Sequence, residues 1–220
     1  MKDLEVFVSV GGTATANQEE FVRAVEDRLR SEGIVPHTVG RNTFASDSPL
    51  KTVTELMDKC CGTVVIALER TYLRTGQEKR GGSDEKTLSD VRYPTCWNQV
   101  EAAMAYTRGH PLLIIVEKGL QGEGLLERGF EWYVQWVDVT TSALTTLEFN
   151  GVLSSWKQKL IQRAASSSMV SPKEMKPLDQ LTVAELVGRM NAGQLWSVLG
   201  ALAALVAGAF VLGAKLFHVP

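Results

Sequence analysis

The chain has 220 residues, 45% hydrophobic and 22% charged, which excludes a disordered or collagen-like polymer and suffices for one core-bearing domain with a short appendage. Its 23 basic and 25 acidic residues leave a formal net charge of −2, a balance that argues against nucleic acid as the main ligand. Cys60, Cys61 and Cys96 are too few for a disulfide framework and lack metal-knuckle spacing, so a reducing compartment is expected.

Residues 4–10, LEVFVSV, predict a buried strand ended by Gly11-Gly12. Asn17 precedes a predicted helix to about residue 31, with Phe21, Val22, Val25 and Leu29 on one face. Gly33 stops it, and residues 34–39 read as a second, weaker strand. A polar loop over 40–49 leads to a helix carrying Leu50, Val53, Leu56 and Met57, then to GTVVIAL at 62–68, the clearest buried strand. Residues 69–94 are charged and glycine-containing, and read as a long solvated loop. A helix over 95–107 feeds the apolar run at 111–116. Residues 119–129 read as a loop with a helical turn, 132–139 (WYVQWVDV) as a fifth strand, and 149–165 as the last amphipathic helix.

Five strands alternating with helices predict a doubly wound, flavodoxin-like α/β domain with a mostly parallel sheet of order 2-1-3-4-5. Such sheets bind ligands outside the carboxyl ends of their strands. Here that crevice is framed by Ser9, Gly11 and Gly12 after the first strand and by Glu69-Arg70 after the third. GGTATAN is not GxGxxG, and no GxxxxGKS loop occurs, so neither an ordinary Rossmann dehydrogenase nor a P-loop NTPase is expected.

Residues 166–192 read as linker and juxtamembrane helix, and residues 193–217 as a membrane segment. The run LWSVLGALAALVAGAFVLGA, 195–214, carries no charge, and as a helix it spans about 30 Å, the thickness of a hydrocarbon core. Trp196 lies at one edge, and Lys215 and His218 at the other. With Lys173, Lys176 and Arg189 on the approach, a single-pass C-terminal anchor with a cytoplasmic N-terminal domain is expected. Gly200, Ala204 and Gly208 form a small-residue stripe suited to helix pairing. No signal peptide is legible at the other end.

The segment PTCWNQVEAAMAYTRGHPLLIIVE, 94–117, places Trp97 and Glu101 four apart at the start of a helix that feeds a buried strand. This resembles the TIR domain, whose third helix carries Trp-x-x-x-Glu before its fourth strand. EVFVSV is similar to the TIR opening box, GTVVIALER fits the third strand, and residues 40–49 lie where TIR domains carry their BB loop. Nucleoside 2-deoxyribosyltransferases are wider relatives with a glutamate on the same helix. The likeness covers residues 4–165; Val10-Gly11-Gly12 and the long 69–94 stretch depart from it.

The resemblance implies hydrolysis of the nicotinamide–ribose bond of NAD+, with Glu101 as catalytic residue and Ser9, Gly11, Gly12, Arg41, Asn42 and Trp97 around the substrate. One carboxylate is adequate chemistry, because positive charge builds on the ribose while nicotinamide leaves readily. No cofactor or metal is implied, since NAD+ is the substrate. For Trp97, contact with Glu101, stacking on a base and core packing all remain open. Arg41 and Asn42 fit either ligand contacts or a solvated loop. The resemblance further implies a bacterial antiphage effector that self-associates through domain and tail, with a cyclic nucleotide as candidate activator. The alternative is a non-enzymatic nucleotide-sensing or adaptor module acting through its membrane helix.

Overall fold

The computed structural model describes residues 3–127 and 132–169. The elements are β1 (Leu4–Val10), α1 (Ala16–Ser31), β2 (Ile34–His37), α2 (Pro49–Lys59), β3 (Gly62–Ala67), β4 (Thr71–Glu78), β5 (Lys86–Tyr93), α3 (Cys96–Thr107), β6 (Leu112–Glu117), β7 (Val134–Val137) and α4 (Leu147–Met169). Five of the strands form one parallel sheet of order β2-β1-β3-β6-β7. That is the doubly wound order expected from the alternation of apolar runs and helices.

The apolar runs become central strands because both of their faces are covered. On one face Val8, Val64, Ile66, Leu113 and Ile115 meet Phe21, Val25 and Leu29 of α1 and Phe149, Leu153 and Trp156 of α4. On the other, Val65, Ile114 and Val116 cover Ala102 of α3, while Phe7 packs on Val53 and Met57 of α2. Neighbouring strands lock in register, with Val8 opposite Val64 and Val64 opposite Leu113. Pro36 is tolerated in β2 because that strand lies at the sheet edge, where one missing N–H breaks no central ladder.

Several boundaries differ from expectation. Thr15, not Asn17, caps α1: its side chain accepts from Gln18 N, whereas Asn17 Nδ2 donates to the Val139 carbonyl at 2.9 Å. Leu50 of α2 is 48% exposed and contributes nothing to the core. The fifth sheet strand is only four residues long. Helix α4 runs on to Met169, four residues past its expected end at 165. A short 3-10 turn at Gly124–Leu126 matches the helical turn read in that loop.

The larger correction concerns residues 69–94. They hold an antiparallel hairpin, β4 against β5, in register from Thr71–Tyr93 to Glu78–Lys86. Its base is tied to the main sheet by Arg92, which donates from Nη2 to the Lys118 carbonyl at 3.1 Å and approaches Glu69 and Glu117 at 3.4 and 3.6 Å. Gly119 accommodates this junction: its φ is +86°, and a Cβ there would lie 1.9 Å from Arg92 Nη2.

All three cysteines are free thiols, and burial pushes the Cys60 thiol up to about 12. Among the described residues, no helix is long and apolar enough to cross a membrane. The expected anchor at 193–217, its small-residue stripe and the juxtamembrane helix lie outside the described residues.

Candidate active site

The carboxyl ends of β1 and β3 meet the N-terminal turn of α3, the place where a doubly wound sheet leaves a ligand crevice. Thr95 caps α3 and accepts from Trp97 N. Its methyl group occupies the space beside Gly11, where a Cβ would stand only 3.0 Å away. Glycine at this position therefore permits the close approach of the β1 end to the α3 cap.

Ser9 is fully buried at the last inward-facing turn of β1. Asn98, 1% exposed, holds it from α3: Nδ2 donates to Ser9 Oγ at 3.0 Å and lies 3.4 Å from both the Ser9 and Ile66 carbonyls. One buried amide thus pins the catalytic-helix candidate to two sheet strands. Asn98 Oδ1 has no hydrogen-bond partner among the described residues.

Glu101 follows Asn98 by three residues, on the same side of α3, and is half-buried. Burial raises its carboxyl above the ordinary carboxylate value of 4.5, because removing water disfavours the charged form; the Ser9 hydroxyl pulls in the opposite direction. A carboxylate with few hydrogen-bonding partners in a dry setting is suited to meeting developing positive charge.

The remaining sequence-derived residues divide into two groups. Ser9, Gly11 and Gly12 surround the crevice, with Arg70 Nη1 donating to the Gly12 carbonyl at 3.2 Å. Trp97 also lies there but is 48% exposed, so core packing is not its role. Arg41 and Asn42 are engaged within the fold. Arg41 closes on α1, with Nη1 and Nη2 each 2.9 Å from a Glu19 carboxylate oxygen and Nε 3.5 Å from Glu26. Asn42 folds its own loop: Oδ1 accepts from Thr38 N at 2.7 Å, and Nδ2 donates to the Pro36 carbonyl at 2.9 Å. In this conformation both side chains make intramolecular bonds.

Asn98 was not among the site residues expected from sequence, whereas Arg70 was expected as part of the crevice frame. The signal for Asn98 was a polar side chain one residue beyond Trp97 on an otherwise alanine-rich face. Gln18, whose Nε2 donates to the Glu69 carbonyl at 3.0 Å, joins α1 to the β3 end and completes the frame. Among the described residues, no group of three or more His, Cys, Asp or Glu side chains is arranged to hold a metal ion. No protein-family model matches the chain, and no curated protein matches it in sequence.

Proposed function

We propose that this chain is a TIR-like NAD+ glycohydrolase in which Glu101 stabilises the ribosyl cation formed as nicotinamide departs. The observation that carries the reading is the position of Glu101: half-buried, beside Ser9, at the carboxyl ends of β1 and β3, with its carboxyl raised by burial. In the reaction the ribose–nitrogen bond breaks, the electron pair leaves with nicotinamide, and a water oxygen adds to the anomeric carbon while losing a proton. Glu101 opposes the charge that develops between those events and needs no partner acid, because nicotinamide leaves as a neutral molecule.

Gly11 and Gly12 allow the chain to approach a ligand without side chains intervening, and the exposed Trp97 indole offers a face for a planar ring. Arg70, held at the Gly12 carbonyl, is the cation best situated for the diphosphate. Tethering at the membrane through residues 193–217 raises local concentration and favours assembly, with a cyclic nucleotide as candidate activator in a bacterial antiphage setting. Membrane attachment is tested by alkaline carbonate extraction of the full chain, which is expected to stay in the pellet; release into the supernatant removes the anchor from the proposal.

The deciding experiment measures NAD+ loss by the full chain with and without candidate cyclic nucleotides, for wild type and Glu101→Gln. Glutamine keeps the side-chain shape but not the charge, so turnover is expected to fall by at least about 10²-fold with little change in substrate binding. Wild-type turnover that survives the substitution overturns the assignment. Absence of turnover under every activator favours the sensing module instead.

A further inference from the structure

A cavity of about 340 Å³ lies at the β7 edge of the sheet, between β7 and the start of α4. It is within the size range of small-ligand sites, about 300–1,000 Å³. Gln135 of β7 lines it at 2% exposure, and its Nε2 is buried with no hydrogen-bond partner among the described residues. The contrast with Gln18 is direct: that buried amide accepts from Ala14 N at 2.8 Å and donates to the Glu69 carbonyl at 3.0 Å. A buried amide left unpaired destabilises the fold that holds it. An aliphatic residue would fit the strand better, since Val134 and Val137 on either side are both core residues.

We infer that this cavity binds a small, neutral, planar molecule through an amide-type edge, with Gln135 donating to its carbonyl and accepting from its N–H. Three features narrow the chemistry. The Lys118 ammonium is already neutralised by Asp138 at 2.6 Å, so no spare cation invites a phosphate or carboxylate. Glu148, which accepts from the Tyr133 hydroxyl, leaves the wall acidic and further disfavours anions. Trp136 and Phe149 supply apolar surface, and the Thr140 and Ser142 hydroxyls, 3.1 Å apart, provide adaptable partners at the rim. A paired donor and acceptor on one rigid edge occurs in the lactam of a nucleobase and in the primary carboxamide of a pyridine. The site is separate from Glu101 and does not depend on the glycohydrolase reading.

The test is calorimetric titration of the full chain with uracil, hypoxanthine and nicotinamide, alongside fully N-methylated uracil, which keeps the ring and carbonyls but has no N–H. At least one amide-edged compound is expected to bind, with the methylated control at least about tenfold weaker. Uracil or hypoxanthine binding identifies a nucleobase site, and nicotinamide binding a carboxamide site. Gln135→Leu is expected to abolish binding while keeping or raising the thermal midpoint, because it removes an unpaired buried amide. No binding by any of the three up to about 10 mM, equal binding of the methylated control, or unchanged binding by Gln135→Leu overturns the inference. Binding that is lost in Glu101→Gln but kept in Gln135→Leu belongs to the Glu101 crevice and overturns the inference, and Gln135→Met takes the place of the leucine variant if that one does not fold.

Discussion

Asn98 donates to Ser9 Oγ across 3.0 Å, joining two residues 89 positions apart in the chain. Because the Ser9 oxygen accepts from Asn98, its own proton is directed toward Glu101, where it lowers the carboxyl against the upward effect of burial. Ser9→Ala removes that hydrogen bond and is expected to move the acid limb of the pH–rate profile to higher pH, because the proposed reaction needs an ionised Glu101. An acid limb that stays in place shows that Ser9 does not act on Glu101.

Glu101→Gln carries a stability prediction that separates it from a damaging core change. The folded state raises this carboxyl above its unfolded value of 4.5. Its contribution is therefore fully stabilising below 4.5 and is lost as pH rises through the raised value. At neutral pH the glutamine variant, free of a buried charge, is expected to unfold at the same or higher denaturant concentration than wild type. A clear drop in that midpoint means the side chain is needed for folding, and its loss of activity then says nothing about chemistry.

Arg41 holds the loop after β2 against α1 through Glu19, whose carboxyl it pulls down to about 2. A depressed carboxyl stabilises the fold above 4.5, and that contribution fades as pH falls toward 2. Arg41→Ala is expected to cost no more than about 1 kcal/mol, since the pair is partly solvated. Its visible effect lies elsewhere: limited proteolysis is expected to cut faster between residues 40 and 48. Unchanged cleavage rates show that Asn42 and the backbone bonds hold the loop alone.

His110 is expected to govern acid sensitivity. It is buried, its Nδ1 lies 3.0 Å from Thr63 Oγ1, and burial, with help from Arg163 and Arg108, lowers it from 6.5 to about 4. The folded state thus binds a proton less readily than the unfolded state, so stability is lost as pH falls from 6.5 toward 4. His110→Gln, which has no proton to gain, is expected to flatten that part of the curve in urea titrations at successive pH values. An identical slope in the variant places the acid sensitivity in other groups.

Much of the fold is legible locally. Runs such as GTVVIA and LLIIVE are apolar on both sides, which only a strand covered on both faces can accommodate, and their alternation with amphipathic helices leads to the parallel order. The four-residue spacing of Trp97 and Glu101 likewise places both at the start of α3 whatever surrounds them. The β4–β5 hairpin is not legible in this way. Thr71–Glu78 and Lys86–Tyr93 are polar and mostly exposed, so no apolar alternation marks them, and they are strands because they pair with each other.

The sequence by itself determined the doubly wound sheet and the presence of a glutamate at its carboxyl edge, because hydrophobic periodicity and strand–helix alternation are properties of neighbouring residues. Tertiary structure decided which polar side chains meet. It set Arg41 against Glu19, brought Asn98 onto Ser9, placed Arg70 beside Gly12, and left Gln135 Nε2 buried with no hydrogen-bond partner among the described residues. Each of these depends on where distant segments pass one another once the core has packed, and the energy of a polar contact falls away within a few ångströms. No local pattern encodes that distance.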